Sequence, residues 1–212
     1  MDLELRLAEL LCTRLCHDLT GPIGAVNNGA EFLGEEGFAL QEQAIELIIG
    51  SANQAVVRLQ FYRQAYGRVN SQGEASLNEV RELTDAFFAD SRFQLVWPEQ
   101  YTDSADISIS RKMTKLILNM FIFVSGTMPR GGSLAVRLEK KESGQVVVSV
   151  KGEGNVREDA EALKALKKKT DISDITPKTV QPYFMAKLAE SLKVSLKHTI
   201  GEDYFEMVAT HA

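Results

Sequence analysis

Apolar residues in the first 70 positions recur at steps of three and four. Ala8, Cys12, Leu15, Leu19, Ile23, Val26, Ala30 and Leu33 form one series; Ile45, Ile48, Ala52, Ala55, Leu59, Tyr62 and Tyr66 form a second. Steps of this length put a stripe on one side of an α-helix. Gly34 and Gly37 interrupt the pattern between the two series. A helical hairpin is therefore predicted over residues 1–70. Two helices with one narrow apolar seam each cannot bury it alone. Pairing with a second copy into a dimeric four-helix bundle is the natural solution.

A polar stretch, Gly67 and Asn70 to Gly73, separates this hairpin from a second unit over 76–212. Ser76 and Glu79 form an S-x-x-E capping box that starts a helix running to about Ala89. Beyond it, Phe93 to Trp97 reads as a strand and Ser110 to Ser125 as a buried helix. Leu134–Leu138 and Val146–Val150 read as a hairpin turning at Glu142-Ser143-Gly144. Helices are expected over Arg157–Lys168 and Lys178–Leu192. A last hairpin should join Val194–Thr199 to Tyr204–Thr210 through Gly201. The fold class is α+β: an N-terminal helical hairpin and a C-terminal α/β sandwich.

Composition narrows the function. The 212 residues carry 24 Lys and Arg against 29 Asp and Glu, a net charge of -5, which disfavours nucleic acid as a partner. The basic cluster of Lys164, Lys167, Lys168 and Lys169 reads as a solvated helix end. The charged start lacks the apolar stretch of a signal peptide, and the longest apolar run, near Leu116 to Val124, is well short of the roughly 20 residues of a membrane span. A cytoplasmic protein with no membrane association is expected. Cys12 and Cys16, one helical turn apart, match no metal pattern and are expected to be small core residues.

Candidate chemistry centres on His17. At roughly 100° per residue, the histidine points about 180° away from the seam marked by Leu15 and Leu19, toward water or a partner. Gly21, Gly24 and Asn28 share its face. Each helical glycine costs about 0.5–1 kcal/mol relative to alanine, so two of them here look like room left for another molecule. Pro22 removes the helical hydrogen bond to the carbonyl of Asp18 and should kink the helix. The Asp18 carboxylate can orient the ring and select its tautomer. An idle surface histidine is the alternative.

Cys16-His17-Asp18-Leu19-Thr20-Gly21-Pro22 resembles the H-box of sensor histidine kinases, His-acidic-Leu-x-x-Pro. The longer stretch LCHDLTGPIGAVNNGAEFL, with RLQFYRQAYG closing the second helix, is similar to the ChpT-type histidine phosphotransferases of bacteria. The C-terminal half resembles a kinase ATP-binding domain whose nucleotide chemistry is erased. Asn119 matches the first asparagine of the N-box, but Phe123 stands where the magnesium-holding second one belongs. Gly152 and Gly154 match an Asp-x-Gly-x-Gly box whose aspartate is replaced by Val150, and no glycine-rich lid follows. No ATP-dependent kinase activity is expected. Gly21 stands where phosphatase-competent kinases often carry Thr or Asn, which favours reversible transfer over dephosphorylation.

The resemblance implies a phosphorelay. His17 accepts a phosphoryl group from the receiver domain of a hybrid histidine kinase and passes it to the receiver of a response regulator, with cell-cycle control as the expected setting. The protein needs no cofactor of its own; the partner receiver supplies Mg²⁺. Docking falls to Thr13, Arg14, Thr20, Gly21, Gly24 and Asn28 on the first helix. On the second, Val57 and Phe61 point off the Ala55–Leu59 seam. They suit either a receiver's docking helix or packing inside the dimeric bundle. Two other functions stay open: a kinase-like scaffold that binds receivers without chemistry, and an active kinase.

Overall fold

The computed structural model describes residues 3–34, 38–68, 74–98, 108–140, 146–167 and 170–211. Two long helices, α1 (Leu3–Phe32) and α2 (Phe38–Tyr66), form the N-terminal hairpin. α1 continues through Pro22 without a break. A short strand β1 (Glu74–Ser76) leads into α3 (Leu77–Phe88), and the Ser76 hydroxyl accepts from the Glu79 amide at 3.1 Å, as the capping box predicts. Then follow β2 (Phe93–Val96), β3 (Ser108–Ser110), α4 (Arg111–Gly126), β4 (Gly132–Lys140), β5 (Val146–Gly154), α5 (Ala160–Ala165), α6 (Val180–Ser191), β6 (Val194–Ile200) and β7 (Tyr204–His211).

Five strands make one mixed sheet in the order β2-β4-β5-β7-β6. β2 runs parallel to β4 and the other neighbours are antiparallel. β1 and β3 form a separate two-stranded ladder. Alternate residues of the sheet, Leu134, Val136 and Leu138 on β4 and Val148 and Val150 on β5, pack against Leu116, Ile117, Met120 and Phe121 of α4. This is the period-two burial expected of a sheet with one covered face.

The C-terminal helices came out shorter than their sequence pattern. α5 starts three residues late because Asp159, not Arg157, caps it by accepting from the Glu161 and Ala162 amides. It ends early because the Thr170 hydroxyl takes the Lys164 carbonyl. α6 begins at Val180, since Thr176 and Thr179 close a turn ahead of it. The expected hairpin turn at residues 142–144, and Lys168 and Lys169 of the basic cluster, lie outside the described residues.

Hairpin and sheet unit share a core. Phe61, Tyr62 and Ala65 of α2 belong to the same buried cluster as α3 and α4. Near the start of α1, Leu10 packs with Ala165, Ile175, Val180 and Tyr183. The opposite face of the hairpin stays open: Ile23, Ile45, Ile49, Val56 and Leu59 are each about half exposed. Cys12 and Cys16 are exposed too, contrary to expectation. Cys12 follows the seam, which one chain leaves uncovered, and lines an apolar groove with Leu15, Leu19 and Leu59.

Candidate functional site

Pro22 sets up the site. Lacking an N–H, it leaves the Asp18 carbonyl without its helical partner. Arg58 of α2 fills the vacancy: its Nη1 donates to that oxygen at 2.6 Å. One turn further along α2, the Tyr62 hydroxyl donates to Asp18 Oδ2 at 3.0 Å, and Arg14 Nε lies 3.7 Å from the same oxygen. The other carboxylate oxygen, Oδ1, faces His17 Nδ1 at 3.4 Å. Burial, reinforced by the Asp18 charge, pushes the Tyr62 phenol well above its ordinary range, so it remains a donor.

His17 itself stands free. Its side chain is 88% exposed, against 24% for Asp18. With Nδ1 turned to the carboxylate, Nε2 faces outward. A Cβ built at Gly21 or Gly24 would meet nothing within 4 Å, and Asn28 is exposed, so the surface around the imidazole is clear. Thr13 and Thr20 turn their hydroxyls back onto the helix, to the carbonyls of Glu9 and Cys16. Arg14 reaches across to the C-terminal unit, donating from Nη1 to the Lys178 carbonyl at 3.2 Å.

The two residues expected on α2 behave differently. Phe61 is fully buried: its ring stacks on Phe87 of α3 with centroids 4.0 Å apart. It serves neither as a docking residue nor as part of a bundle seam, because α3 of the same chain covers that side of α2. Val57 is half-buried and lines a shallow groove between α2 and α3 with Gln60 and Glu82. Arg58 and Tyr62, the residues that do reach the site, were not singled out by the sequence. The signal available was Pro22, whose freed acceptor demands a donor.

The kinase-like nucleotide positions do not fit a nucleotide. Phe123 is buried against the Phe205 ring, 5.6 Å between centroids, and Val150 is fully buried in the sheet core. Gly152 lies so close to Met128 that a Cβ there would come within 2.3 Å of its methyl carbon. Asn119 is also fully buried: its Nδ2 donates to the Ala65 and Lys115 carbonyls at 2.9 Å, while Gln181 donates to its Oδ1 at 3.2 Å. Lys115 adds hydrogen bonds to the Tyr66 and Gly67 carbonyls. Both side chains thus satisfy carbonyls at the end of α2 and fasten the sheet unit to the hairpin. Among the described residues no His, Cys, Asp and Glu cluster could hold a metal ion, and no helix is long and apolar enough to cross a membrane. His198 stacks on Phe205 in the sheet, away from this site.

A histidine hairpin joined to a kinase-like sandwich that has lost its nucleotide residues is the architecture of a phosphotransfer protein. The chain belongs to the histidine phosphotransferase family: residues 77–204 match the family model of the histidine phosphotransferase C-terminal domain. It is 37% identical over 203 residues to protein phosphotransferase ChpT of Brucella abortus (strain 2308), covering 94% of this chain and 93% of that one. A solved bacterial phosphotransferase superposes with a TM-score of 0.82 at 31% identity, over 99% of this chain and 97% of the other. The catalytic domain of histidine kinase ThkA shares the fold alone, at a TM-score of 0.50 and 14% identity over 66% of this chain and 94% of its own. The protein is a histidine phosphotransferase of a phosphorelay.

Proposed function

We propose that His17 carries the phosphoryl group, taking it from an aspartyl phosphate on one receiver domain and giving it to an aspartate on another. The observation behind this reading is the presentation of the imidazole, 88% exposed with Nδ1 against Asp18. With its proton on Nδ1, the ring offers the Nε2 lone pair to an incoming phosphorus. The N–P bond forms as the P–O bond to the aspartyl oxygen breaks, and the aspartate leaves as a carboxylate with the electron pair. The ring becomes an imidazolium whose Nδ1 proton faces the Asp18 carboxylate. No proton has to leave, and the same step run backward loads the second receiver. Alignment and charge neutralisation supply the catalysis.

Thr13, Arg14, Thr20, Gly21, Gly24 and Asn28 border the imidazole and form the docking surface. The receiver brings Mg²⁺ and the chain needs no cofactor. The donor is the receiver of a hybrid histidine kinase and the acceptor that of a response regulator, in the cytoplasm. Two copies of the chain pair through the apolar groove between α1 and α2, about 590 Å³ in volume and lined by Leu11, Leu15, Leu19, Val56 and Leu59. The test is to incubate the chain with a receiver domain carrying labelled phosphate. Acid-labile, base-stable label on the wild type and none on His17→Gln is expected. Equal label on the variant would refute the role of His17.

A further inference from the structure

Asp18 is held from α2 at two points. Its backbone oxygen, left over by Pro22, takes Arg58 Nη1 at 2.6 Å, and its Oδ2 takes the Tyr62 hydroxyl at 3.0 Å. Arg58 and Tyr62 are one helical turn apart, so both arise from one face of α2. Tyr62 is buried, and among the described residues its hydroxyl donates to this carboxylate. Arg14 adds its Nε to the same side of the carboxylate and ties it to the Lys178 carbonyl of the C-terminal unit. Only Oδ1 is left to meet the imidazole.

We propose that Tyr62 and Arg58 are positioning residues for phosphoryl transfer: they fix Asp18 so that Oδ1 holds the His17 proton on Nδ1 and leaves the Nε2 lone pair free. The inference rests on His17 being the phosphoryl carrier. Neither residue touches the phosphoryl group. The ring nitrogen that keeps the proton is set by the hydrogen bond that nitrogen makes. An aspartate next to a histidine on an exposed helix face has several rotamers, and most of them turn away from the ring. A hydrogen-bonded Oδ2 and an anchored backbone remove those alternatives. Arg14 extends the brace to the sheet unit, which gives a unit without nucleotide residues a part in supporting the nucleophile.

Tyr62→Phe removes one hydroxyl and keeps the buried ring, so the fold should survive. Three readouts on wild type, Tyr62→Phe, Asp18→Asn and the double variant test the proposal: transfer rate at saturating phosphorylated receiver, receiver affinity, and ¹⁵N shifts of the neutral His17 imidazole. Tyr62→Phe should slow transfer about tenfold, the size of one lost hydrogen bond to a charged group. Receiver affinity should not change, and the ¹⁵N shifts should show the proton moving from Nδ1 toward Nε2. The double variant should be no slower than Asp18→Asn alone, because both changes break the same link. Arg58→Met should slow transfer in the same direction. A wild-type rate with unchanged ¹⁵N shifts in Tyr62→Phe would overturn the proposal, as would effects that multiply in the double variant. Failure of His17 to take label in the wild type would instead overturn its role as carrier. The ¹⁵N comparison, which needs no transfer, would still decide whether the clamp sets the tautomer.

Discussion

Replacing Phe61 with alanine separates an internal fastening from a docking surface. The ring is fully buried, stacks on Phe87 at 4.0 Å and meets Tyr62 edge-on at 6.1 Å. Removing a buried phenyl ring costs about 3–5 kcal/mol, from lost transfer energy and the cavity left behind. The stacked partner puts Phe61 toward the upper half of that range, since aromatic pairs add about 0.5–1.5 kcal/mol. At about 2–4 °C per kcal/mol for a chain of this size, the melting temperature should fall by about 10 °C. Thermal unfolding, followed by circular dichroism at one fixed protein concentration, measures it; the fixed concentration matters because any dimer equilibrium shifts the midpoint. At a temperature where the variant is still folded, its affinity for a receiver should match the wild type. A melting temperature lowered by less than about 2 °C, together with lost receiver binding, would put Phe61 back on a docking surface and refute the packing argument.

Leu59 is 52% exposed on the open apolar face, so Leu59→Glu should yield a folded monomer by light scattering; an unchanged dimer would move the interface elsewhere. Incubation with labelled ATP and Mg²⁺ should leave the chain unlabelled, because Phe123 and Val150 fill the kinase positions with buried hydrocarbon; label on His17 would contradict this. Burial raises the phenols of both Tyr62 and Tyr66 above their ordinary value of 10.0. Above that pH the unfolded chain releases these protons while the folded chain keeps them, so their stabilising share is complete below it and is lost as pH rises. The urea midpoint should therefore fall progressively as pH rises above about 10, less steeply in the double variant Tyr62→Phe, Tyr66→Phe; equal slopes would refute the assignment.

Local order was the legible part of the sequence. The capping box at Ser76 and Glu79, the two helical stripes and the alternation in β4 and β5 each depend on residues a few positions apart, and each appears in the structure. Long-range contacts were less legible. Periodicity showed that Phe61 leaves the seam but not that α3 covers it. Tyr62 read as one more apolar position, because its hydroxyl finds a partner only where α2 crosses Asp18, 44 residues away in the chain. Asn119 read as a remnant of a nucleotide site, whereas its amide bonds to Ala65 on a different helix. His17 was findable because exposure, glycine spacing and Pro22 all lie within one stretch of helix. The lengths of α5 and α6 turned on the Asp159 cap and on the Thr176–Thr179 turn, which compete with equally polar neighbours in the sequence.

If one histidine joins two receivers, label must pass through it from the first to the second in a chase. The chain is first labelled from a phosphorylated hybrid-kinase receiver, that receiver is removed, and an unphosphorylated response-regulator receiver is added. Label should leave the chain and appear on the second receiver within the experiment, while a His17→Ala chain neither accepts nor delivers any. Label that reaches the second receiver equally well through the His17→Ala chain, or a wild-type chain that binds both receivers without ever carrying label, would contradict the relay through His17.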